Sequence, residues 1–543
     1  MNKNNQKYLA RIMVEAATPM RIGSGNAGLL IDQLVVRDAN GLPYIPGASL
    51  AGVIRHSLDN MDDFKPQINQ LFGFQKDKIT DKDKEEDKGQ GSRIVFSPAL
   101  MVAENGIKVH EGLEGIPFEK EYYQHYQDDF LPERDHVKID HRGVATMHAK
   151  YEEQVVFKGT RFVFEMELTG TANDAPTWKA MLDLLCQPTF RVGAGTRKGL
   201  GDLAVIQMQQ ATFDLSNKDK LKAYLNISSS LNIPFAPWEK VEEVKLDNSW
   251  TAYQLELSPE NFFLFGSGLQ DADADETPKT EKTVCYKDGK AIVKEEQLLI
   301  PATSIKGTLS HRVAFHYNLL TKNTIKQAGR NDWGKADLSS NLETAMAAID
   351  FGIDPANLQY AADSDEWQQL IAQLEQTIAT EDQGWKNFAD AATQKQNTAN
   401  DLQQGTGELN DAVVALFGRK AEKEEQQGLA PPKNIGQKGK VIFSDIFVAK
   451  DAKNEKVLNH VAIDRFTGGG IDGALFQEKV TTSDAFSTTI YVDTSAFKEE
   501  FDKDKNIQKA FENALTDLVE GRLPLGGHTT KGHGIFTGKF IAI

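Results

Sequence analysis

Gly193-Ala-Gly-Thr-Arg-Lys-Gly-Leu-Gly201 closes the first part of the chain, and Gly526-Gly-His-Thr-Thr-Lys-Gly-His-Gly534 stands near its end. Both stretches, here called the first and second glycine loops, place glycines around a basic centre, and an apolar run typical of a strand follows each. Because glycine permits positive φ and close backbone approach, successive N–H groups can point at one ligand beside a cation. The pattern predicts loops that hold a phosphate-bearing ligand. A flexible hairpin turn is the plainer alternative for either loop alone.

The composition is that of a globular protein, with 543 residues, 40% of them apolar and 26% charged. This length suits two large domains or three to four smaller ones. The two cysteines stand in unrelated contexts, which excludes a disulfide framework or a Cys-rich zinc site and indicates a reducing compartment. The first eight residues are polar, and no apolar run approaches the roughly 18 residues of a membrane span. We therefore expect a cytoplasmic protein with no membrane partner.

The net charge of −17 argues at first against a nucleic-acid partner. The charge is unevenly spread, however, and the stretch 319–411 is rich in acidic residues, Gln and Ala. An acidic insertion can lie beside a basic groove, so the net charge does not decide the class of ligand.

Six sequence blocks recur in the same order in the two halves of the chain, which indicates an internal duplication. The first copy contains Gly23-Ser-Gly25, Ile45-Pro-Gly-Ala-Ser-Leu-Ala-Gly-Val-Ile-Arg-His56, Leu71-Phe-Gly73, Ile94-Val-Phe-Ser97, His136-Val-Lys-Ile-Asp-His141 and the first glycine loop. The second copy contains Gly266-Ser-Gly268, Ile300-Pro-Ala-Thr-Ser-Ile-Lys-Gly-Thr-Leu-Ser-His-Arg312, Leu416-Phe-Gly418, Val441-Ile-Phe-Ser444, His460-Val-Ala-Ile-Asp-Arg465 and the second glycine loop.

Each copy is predicted to run strand, helix, strand, long loop, strand, helix, strand, and its first strand (8–16 in the first copy) alternates as a half-buried strand does. That order predicts an α+β fold with a sheet of ferredoxin or RNA-recognition-motif type. The predicted domain boundaries and special segments are a first domain at 1–210 with a charged, disordered loop at 76–91, a connector at 211–249, and a second domain at 250–543 with an acidic helical insertion at 319–411.

The ordered set of blocks resembles the RAMP superfamily of CRISPR proteins, and is most similar to backbone subunits of type III effector complexes. The resemblance covers 8–210 and 251–543, and two units in one chain resemble the fused double-backbone subunits of type III-D systems. It implies two tandem RAMP domains, each with a β-hairpin thumb, that hold guide CRISPR RNA and face a target RNA. The implied protein partners are other RAMP backbone subunits, a large polymerase-like subunit and a small subunit.

The resemblance also implies an acidic loop that cuts target RNA with a divalent metal, Mg²⁺ or Mn²⁺. Asp32, within Gly28-Leu-Leu-Ile-Asp-Gln33, matches the family's cleavage aspartate. A carboxylate can help to hold the metal or to deprotonate a ribose 2′-hydroxyl, whose oxygen then attacks the adjacent phosphate. A solvated loop aspartate is the plainer alternative.

The second copy offers Asp271, Asp273 and Asp275 at the matching place. Asp275 lies nine residues beyond the first glycine of its Gly-Ser-Gly block, the same offset as Asp32, which favours Asp275 as the second catalytic and metal-binding residue. The longer loop keeps the other two open. Glycine and glutamate do not stand at EF-hand positions, which argues against a calcium loop.

The thumb hairpins are predicted at 136–157 and 460–480, where basic and aromatic side chains suit phosphate contact and base stacking. Ordinary surface hairpins are the alternative, and Asp140 and Asp464 are predicted to fix the hairpins. The residues predicted to contact RNA are Ser24, Ser49, Arg55, Lys138, His141, Arg142, Gly193, Gly195, Arg197 and Lys198 in the first copy and Ser304, Lys306, Arg312, Arg465, Phe466, Gly526, Gly527, His528 and Lys531 in the second.

The sequence therefore predicts a guide-RNA-binding subunit with endoribonuclease activity toward target RNA. One alternative is a structural backbone subunit that holds guide RNA and cuts nothing. Another is a stand-alone RAMP endoribonuclease that matures guide precursors without metal, against which the lack of an obvious His-centred acid/base pair argues. A third alternative is an enzyme of small-molecule metabolism.

Overall fold

The computed structural model describes residues 4–26, 31–61, 63–75, 89–127, 130–139, 145–241, 244–321, 410–419, 436–498 and 505–543. Their helices are α1 (Gly47–Asp59), α2 (Ile68–Phe72), α3 (Glu121–Gln124), α4 (Ala175–Leu185), α5 (Lys218–Leu225), α6 (Ala302–Leu320), α7 (Asp411–Phe417) and α8 (Asn506–Val519). Their strands are β1 (Gln6–Ala16), β2 (Ile94–Phe96), β3 (Leu100–Met101), β4 (Glu133–Ile139), β5 (Ala145–Gln154), β6 (Arg161–Gly170), β7 (Leu203–Asp214), β8 (Glu239–Lys240), β9 (Trp250–Pro259), β10 (Thr280–Lys287), β11 (Lys290–Ile300), β12 (Gly418–Arg419), β13 (Gln437–Lys438), β14 (Val441–Ile442), β15 (Ile446–Ala449), β16 (Glu455–Ile463), β17 (Gly470–Thr481), β18 (Phe486–Asp493) and β19 (Phe536–Ala542).

The first sheet has the strand order β2-β6-β1-β7-β8, and all of its pairings are antiparallel. The second sheet has the order β14-β18-β9-β19, again antiparallel. In each copy the first strand is central, the last strand lies on one side of it, and the third and second strands lie on the other. This is the ferredoxin-like arrangement, so the predicted α+β fold with two tandem ferredoxin-like modules is confirmed.

Helices α1 and α4 cover one face of the first sheet because their apolar residues recur at helical spacing. The core that they form with β1 and β6 contains Leu50, Ile54, Leu58, Trp178, Met181, Leu185, Ile12, Phe164 and Met166, all of them buried. Alternation along β1 directs Ile12 and its neighbours two residues away into this core.

The opposite face of β1 is also covered, so the prediction of a half-buried strand is wrong for the first copy. Met13 packs in a second apolar cluster with Val163, against Trp238 of the segment that follows β7. Arg11 is completely buried, where its guanidinium pairs with Glu165 (2.8 Å) and donates to the Ile233 carbonyl (2.7 Å). The predicted connector at 211–249 thus supplies a cover for the sheet, as well as α5 and the edge strand β8.

The β10–β11 hairpin follows the first strand of the second copy and was not predicted. It packs on the first module: Val284 joins that module's core, and its N–H donates to the Lys158 carbonyl at 2.8 Å. The hydroxyls of Tyr286 and Tyr122 lie 3.1 Å apart in the same contact. The duplicated modules are therefore joined by an ordered, buried interface.

The structure divides into two compact units, and both sheets belong to the unit made of Met1–Thr308, Lys440–Ser495 and Leu515–Ile543. The other unit comprises Leu309–Gly439 and Ala496–Ala514. In its described part, Asn410 caps α7 by accepting the N–H of Ala412 at 3.1 Å, and β12 pairs with β13.

Two predicted segments lie wholly or largely outside the described residues: 76–88 of the charged loop at 76–91 and 322–409 of the insertion at 319–411. Across the described helices, none combines the length and the apolar character needed to cross a membrane.

Candidate nucleic-acid interface

Two hairpins, β4–β5 and β16–β17, are inserted at the same point of the two modules, before the third strand of each sheet. We call them the first and second hairpins. Residues 140–144, with the predicted contacts His141 and Arg142 and with Asp140, lie outside the described part of the first. In the second, Asp464 Oδ1 accepts the N–H groups of Phe466 (3.0 Å) and Thr467 (2.7 Å) and so holds the turn. Phe466, beside the exposed Arg465, is 98% exposed at the tip.

The two glycine loops have positive φ at matching positions. Gly201 and Gly534 have φ of 81° and 75°, and a Cβ at either position would lie 2.2 or 1.9 Å from the carbonyl oxygen of Val192 or Leu525. These approaches are too close for any side chain, which explains the glycines. Each loop also packs against the segment that follows the first strand of its module, where a Cβ at Gly193 would lie 2.2 Å from the Arg21 carbonyl oxygen and one at Gly526 2.5 Å from that of Leu264.

A buried carboxylate lies at the root of the first hairpin. Glu153 is completely buried, with its Oε1 2.7 Å from His136 Nε2 and its Oε2 2.8 Å from Arg21 Nη1. Burial raises the pKa of Glu153, but the hydrogen bond from His136 and the nearby charges outweigh it and leave the pKa below its usual value. His136 stacks on Tyr151 with ring centroids 4.9 Å apart. Lys198 of the first glycine loop contacts the Tyr151 hydroxyl and lies over its ring at 4.6 Å.

The root of the second hairpin repeats this cluster around Glu478, which is also completely buried. Its Oε1 lies 2.6 Å from His460 Nε2 and 3.0 Å from His533 Nε2. Its Oε2 lies 3.2 Å from His528 Nε2 and 3.3 Å from Lys531 Nζ. Burial raises the pKa of Glu478, but the hydrogen bonds from His460 and His533 dominate with the nearby cations and lower it overall.

The aromatic contacts of the two roots also match. His460 stacks on Phe476 with centroids 5.1 Å apart, and Lys531 lies over that ring at 4.4 Å. Lys198 and Lys531, both predicted to contact RNA, therefore each connect a glycine loop to the adjacent hairpin. The paired lysines place a positive charge at equivalent points of the two modules.

The predicted cleavage residues Asp32 and Asp275 occupy equivalent positions beside these roots. Asp32 is exposed, and its Oδ2 accepts the backbone N–H of Glu152 at 3.0 Å. Asp275 is exposed, and its Oδ2 accepts the backbone N–H of Gln477 at 2.8 Å. In each case the donor immediately precedes the buried glutamate, so both carboxylates are held by the outgoing strand of a hairpin.

The other two aspartates of the second loop have different surroundings. Asp271 Oδ1 accepts the N–H groups of Asp273 (2.8 Å) and Ala274 (2.9 Å), which shapes the loop, and its Oδ2 pairs with Lys479. Asp273 is exposed, with Oδ2 3.6 Å from the same ammonium. The contacts of Asp271 and Asp273 therefore differ from those of Asp32, whereas the hydrogen bond of Asp275 matches that of Asp32.

Further predicted contacts lie on the surrounding elements. Ser49 and Ser304 lie in the first turns of α1 and α6, and Lys306 follows on α6. Arg55 of α1 donates to the Asn69 side chain at 3.1 Å, and Lys138 is exposed on the first hairpin.

The other residues predicted to contact RNA lie near the Gly-Ser-Gly blocks and glycine loops, or in the second unit. Ser24 donates its N–H to the Leu34 carbonyl at 2.9 Å, and Gly527 donates to the Leu264 carbonyl at 2.7 Å. In the second unit, Arg312 lies over the Phe315 ring at 4.8 Å.

Arg197 differs from the other predicted cations because it faces the second module. Its guanidinium lies over the Trp250 ring of β9 at 5.9 Å. Burial, together with the neighbouring Arg191, lowers the pKa of Arg197 to about 10. The same loop contacts the second module through Gly199, where a Cβ would lie 2.4 Å from the Ala302 side chain.

A buried ionic cluster completes this junction. The Arg134 guanidinium, in β4, forms two hydrogen bonds with Glu281 (2.9 and 3.1 Å) and one with Asp445 Oδ2 (2.6 Å). Asp445 Oδ1 accepts the N–H of Ala302 at 2.8 Å. All three charged residues are buried, so the root of the first hairpin is tied to the second module.

The sequence analysis missed the residues at the centre of both roots. Glu153 and Glu478 stand in none of the six recurring blocks that define the repeat. His533 lies within the second glycine loop but was not among the predicted contacts, and its partner Glu478 is 55 residues away in sequence. The recurring His136 and His460 were a usable signal, because a histidine at the same point of two copies invites a search for a shared partner.

Taken together, the two sheets, hairpins and glycine loops define a chain built from two tandem RNA-recognition-type modules. The sequence profile of the RAMP superfamily matches residues 13–204 and 288–537, which is most of the chain. The chain therefore belongs to the RAMP superfamily, as the sequence predicted, and has a CRISPR-associated, RNA-binding role. The superfamily includes some ribonucleases. No curated protein matches the chain.

The buried glutamates predict a specific acid sensitivity. A carboxylate whose folded pKa is lowered stabilises the fold above its unfolded pKa, and this stabilisation is lost as the pH falls through the folded value. Glu153 and Glu478 have pKa values below 4.5, so their contribution is present at neutral pH and disappears below that value. We expect a Glu153→Gln, Glu478→Gln variant to melt below the wild type at pH 7, with a gap that narrows from about pH 4.5 downward. An Asp273→Asn control keeps the wild-type profile.

Proposed function

We propose that the chain is a guide-RNA-binding double-backbone subunit of a type III CRISPR effector, and that it cleaves guide-complementary target RNA at Asp32 and Asp275. The observation that carries this proposal is the equivalence of the two aspartates. Each is exposed, and each is held by a backbone N–H of a hairpin strand, beside a lysine-bearing glycine loop.

Binding in this proposal depends on backbone and shape, because base pairing with the guide supplies the sequence specificity. The glycine loops offer N–H groups and a lysine to phosphates, and the basic side chains on α1, α6 and the first hairpin add phosphate contacts. The second hairpin carries Phe466 fully exposed at its tip, where an aromatic ring can stack on a base.

A single exposed carboxylate at each site fits Mg²⁺ or Mn²⁺, since Mg²⁺ is commonly bound by one or two carboxylates together with substrate phosphates. When bound, the metal neutralises charge on the phosphate under attack. The aspartate helps to remove the proton of the ribose 2′-hydroxyl, and the 2′-oxygen attacks the adjacent phosphorus. As the bond from the 2′-oxygen to phosphorus forms, the bond to the 5′-oxygen breaks and that oxygen takes a proton from solvent water, so the expected products carry a 2′,3′-cyclic phosphate and a 5′-hydroxyl.

A second candidate is a stand-alone RAMP endoribonuclease that cuts guide precursors without metal. The specific observation that favours it is the set of His460, His528, His533 and Lys531 around Glu478, because imidazoles and an ammonium are the usual general acids and bases of such chemistry. Burial of His533 and the engagement of all four groups with one carboxylate count against it.

The deciding experiment uses the assembled complex with guide RNA and labelled target in Mg²⁺ or excess EDTA. We expect cuts only in complementary RNA and only with metal, with RNA of guide length co-purifying. A complex that binds target without cutting it would indicate the structural subunit. Cleavage of repeat RNA by the isolated chain in EDTA would indicate the stand-alone enzyme, and failure to bind RNA at low salt would favour small-molecule metabolism.

A further inference from the structure

An internal cation joins two segments in the first module. Arg21 Nη1 lies 2.8 Å from Gln33 Oε1 and 2.8 Å from Glu153 Oε2. Gln33 follows the cleavage aspartate, and Glu153 lies at the root of the first hairpin. The guanidinium thus connects the aspartate loop to the hairpin through one shared positive charge.

The second module has lost this cation. Leu264 takes the place of Arg21: its carbonyl accepts the Gly527 N–H at 2.7 Å, as the Arg21 carbonyl accepts the Ala194 N–H at 2.9 Å. A buried leucine offers no charge.

Both residues at the positions of the guanidinium's partners are carboxylates in the second module, whereas one of them is an amide in the first. Glu276 stands where Gln33 is and Glu478 where Glu153 is, as shown by parallel bridges between 33 and 153 and between 276 and 478. Compared with the Arg21–Gln33–Glu153 group of the first module, the equivalent positions of the second module have one positive charge fewer and one negative charge more. Two carboxylates brought together in a partly buried site require a cation.

The second module has also gained imidazoles at this place. His528 stands where the first loop has Gly195, and its Nε2 lies 2.6 Å from Glu276 Oε2 and 3.2 Å from Glu478 Oε2. The backbone there is left-handed in both loops, with φ of 75° for Gly195 and 54° for His528. A histidine is less stable than glycine in this conformation, so the side chain is retained against the local backbone preference. His533 likewise replaces Leu200 and reaches Glu478.

We propose that the second module binds a first-row divalent metal ion, Zn²⁺ foremost, between His528 Nε2 and the carboxylates of Glu276 and Glu478. The three ligand atoms lie within 4.8 Å of one another. Zinc accepts imidazole nitrogen and carboxylate oxygen together, at about 2.0 to 2.2 Å. The ion stands where the first module has the Arg21 guanidinium, and it connects the same segments.

The neighbouring groups fit this assignment. His460 and His533 hydrogen-bond the other oxygen of Glu478 and orient it, which is the usual support for a metal ligand. Lys531 lies 3.3 Å from Glu478 Oε2 and competes with a metal, but its ammonium already lies over the Phe476 ring, where it can remain. This ion is distinct from a cleavage metal at Asp275, because the Asp275 carboxylate accepts the Gln477 N–H and is not one of the three ligand groups.

The test uses the full-length protein, stripped with a chelator and then titrated with Co²⁺ by visible absorption and with Zn²⁺ by calorimetry. We expect one tightly bound ion per chain and a higher melting temperature with Zn²⁺. His528→Gly and Glu276→Gln each install the residue of the first module, so both are compatible with the fold. Each is expected to weaken binding at least about 100-fold and to abolish the stabilisation by Zn²⁺.

Matched controls separate this site from others. His136→Gln alters the equivalent of His460 in the first module, and Asp275→Ala removes the proposed cleavage carboxylate; both are expected to keep the Zn²⁺ affinity. No saturable binding by the wild type, or unchanged binding by His528→Gly, would overturn the proposal. Neither result depends on guide binding or on target cleavage, so this inference and the proposed function can fail separately.

Discussion

Changing Asp32 and Asp275 together to alanine is expected to abolish target-RNA cleavage while guide RNA remains bound. Both carboxylates are exposed and accept one backbone N–H each, so their removal changes little of the fold. Loss of a group that moves the 2′-hydroxyl proton is expected to lower the cleavage rate by about 10² to 10⁴-fold. The measurement is single-turnover cleavage by the assembled complex, with products resolved by length.

Each single variant is expected to remove the cuts made by its own module and to leave the others. Asp32→Asn keeps an acceptor for the Glu152 N–H while removing the charge, so it separates chemistry from loop support. Asp273→Ala is the matched control, since it is exposed on the same loop as Asp275 and pairs only loosely with Lys479. Unchanged rates and cut positions in the double variant would reject the catalytic assignment and leave the guide-binding role standing.

Replacing Arg134 with methionine is expected to cause the largest loss of stability. The substitution leaves Glu281 and Asp445 buried without their shared cation. Removing one partner of a buried ionic group costs about 3 to 5 kcal/mol. Hydrogen–deuterium exchange should detect faster opening of β4 and β10, which carry Arg134 and Glu281, at neutral pH.

The pH dependence of hydrogen exchange in the Arg134→Met variant tests whether unpaired buried carboxylates cause the loss of stability. Burial already raises the pKa of Glu281, although Arg134 opposes that shift, so loss of the guanidinium raises the pKa further. The difference in exchange protection between the variant and the wild type should therefore narrow as the pH is lowered, because a proton can then replace the missing charge. Lys150→Met, which breaks exposed ion pairs on the same hairpin, should cost far less stability than Arg134→Met, because solvent screens exposed pairs. Equal losses in the two variants would contradict the assignment.

Candidate site residues could be named from the sequence where the pattern that marks them is short in sequence, and were missed where their surroundings come from distant segments. The offset of Asp275 from its Gly-Ser-Gly block could be read directly, and the hydrogen bond from Gln477 gives that aspartate the same surroundings as Asp32. Arg197 was predicted from its loop alone, and the loop could not show that Trp250 of the other module would cover it. The half-buried pattern of β1 likewise could not show that a later segment covers its second face.

The amino-acid sequence by itself determined the duplication, the ferredoxin-like order of elements and the family, because periodicity, glycine positions and repeated blocks are local properties that survive without coordinates. Tertiary structure alone decided which charges meet. The clusters around Glu478 and Arg134 assemble side chains from segments tens to hundreds of residues apart, so no window of sequence contains them. A buried charge requires a partner of opposite charge, and whether a side chain is buried depends on the packing of the whole chain and not on its neighbours in sequence.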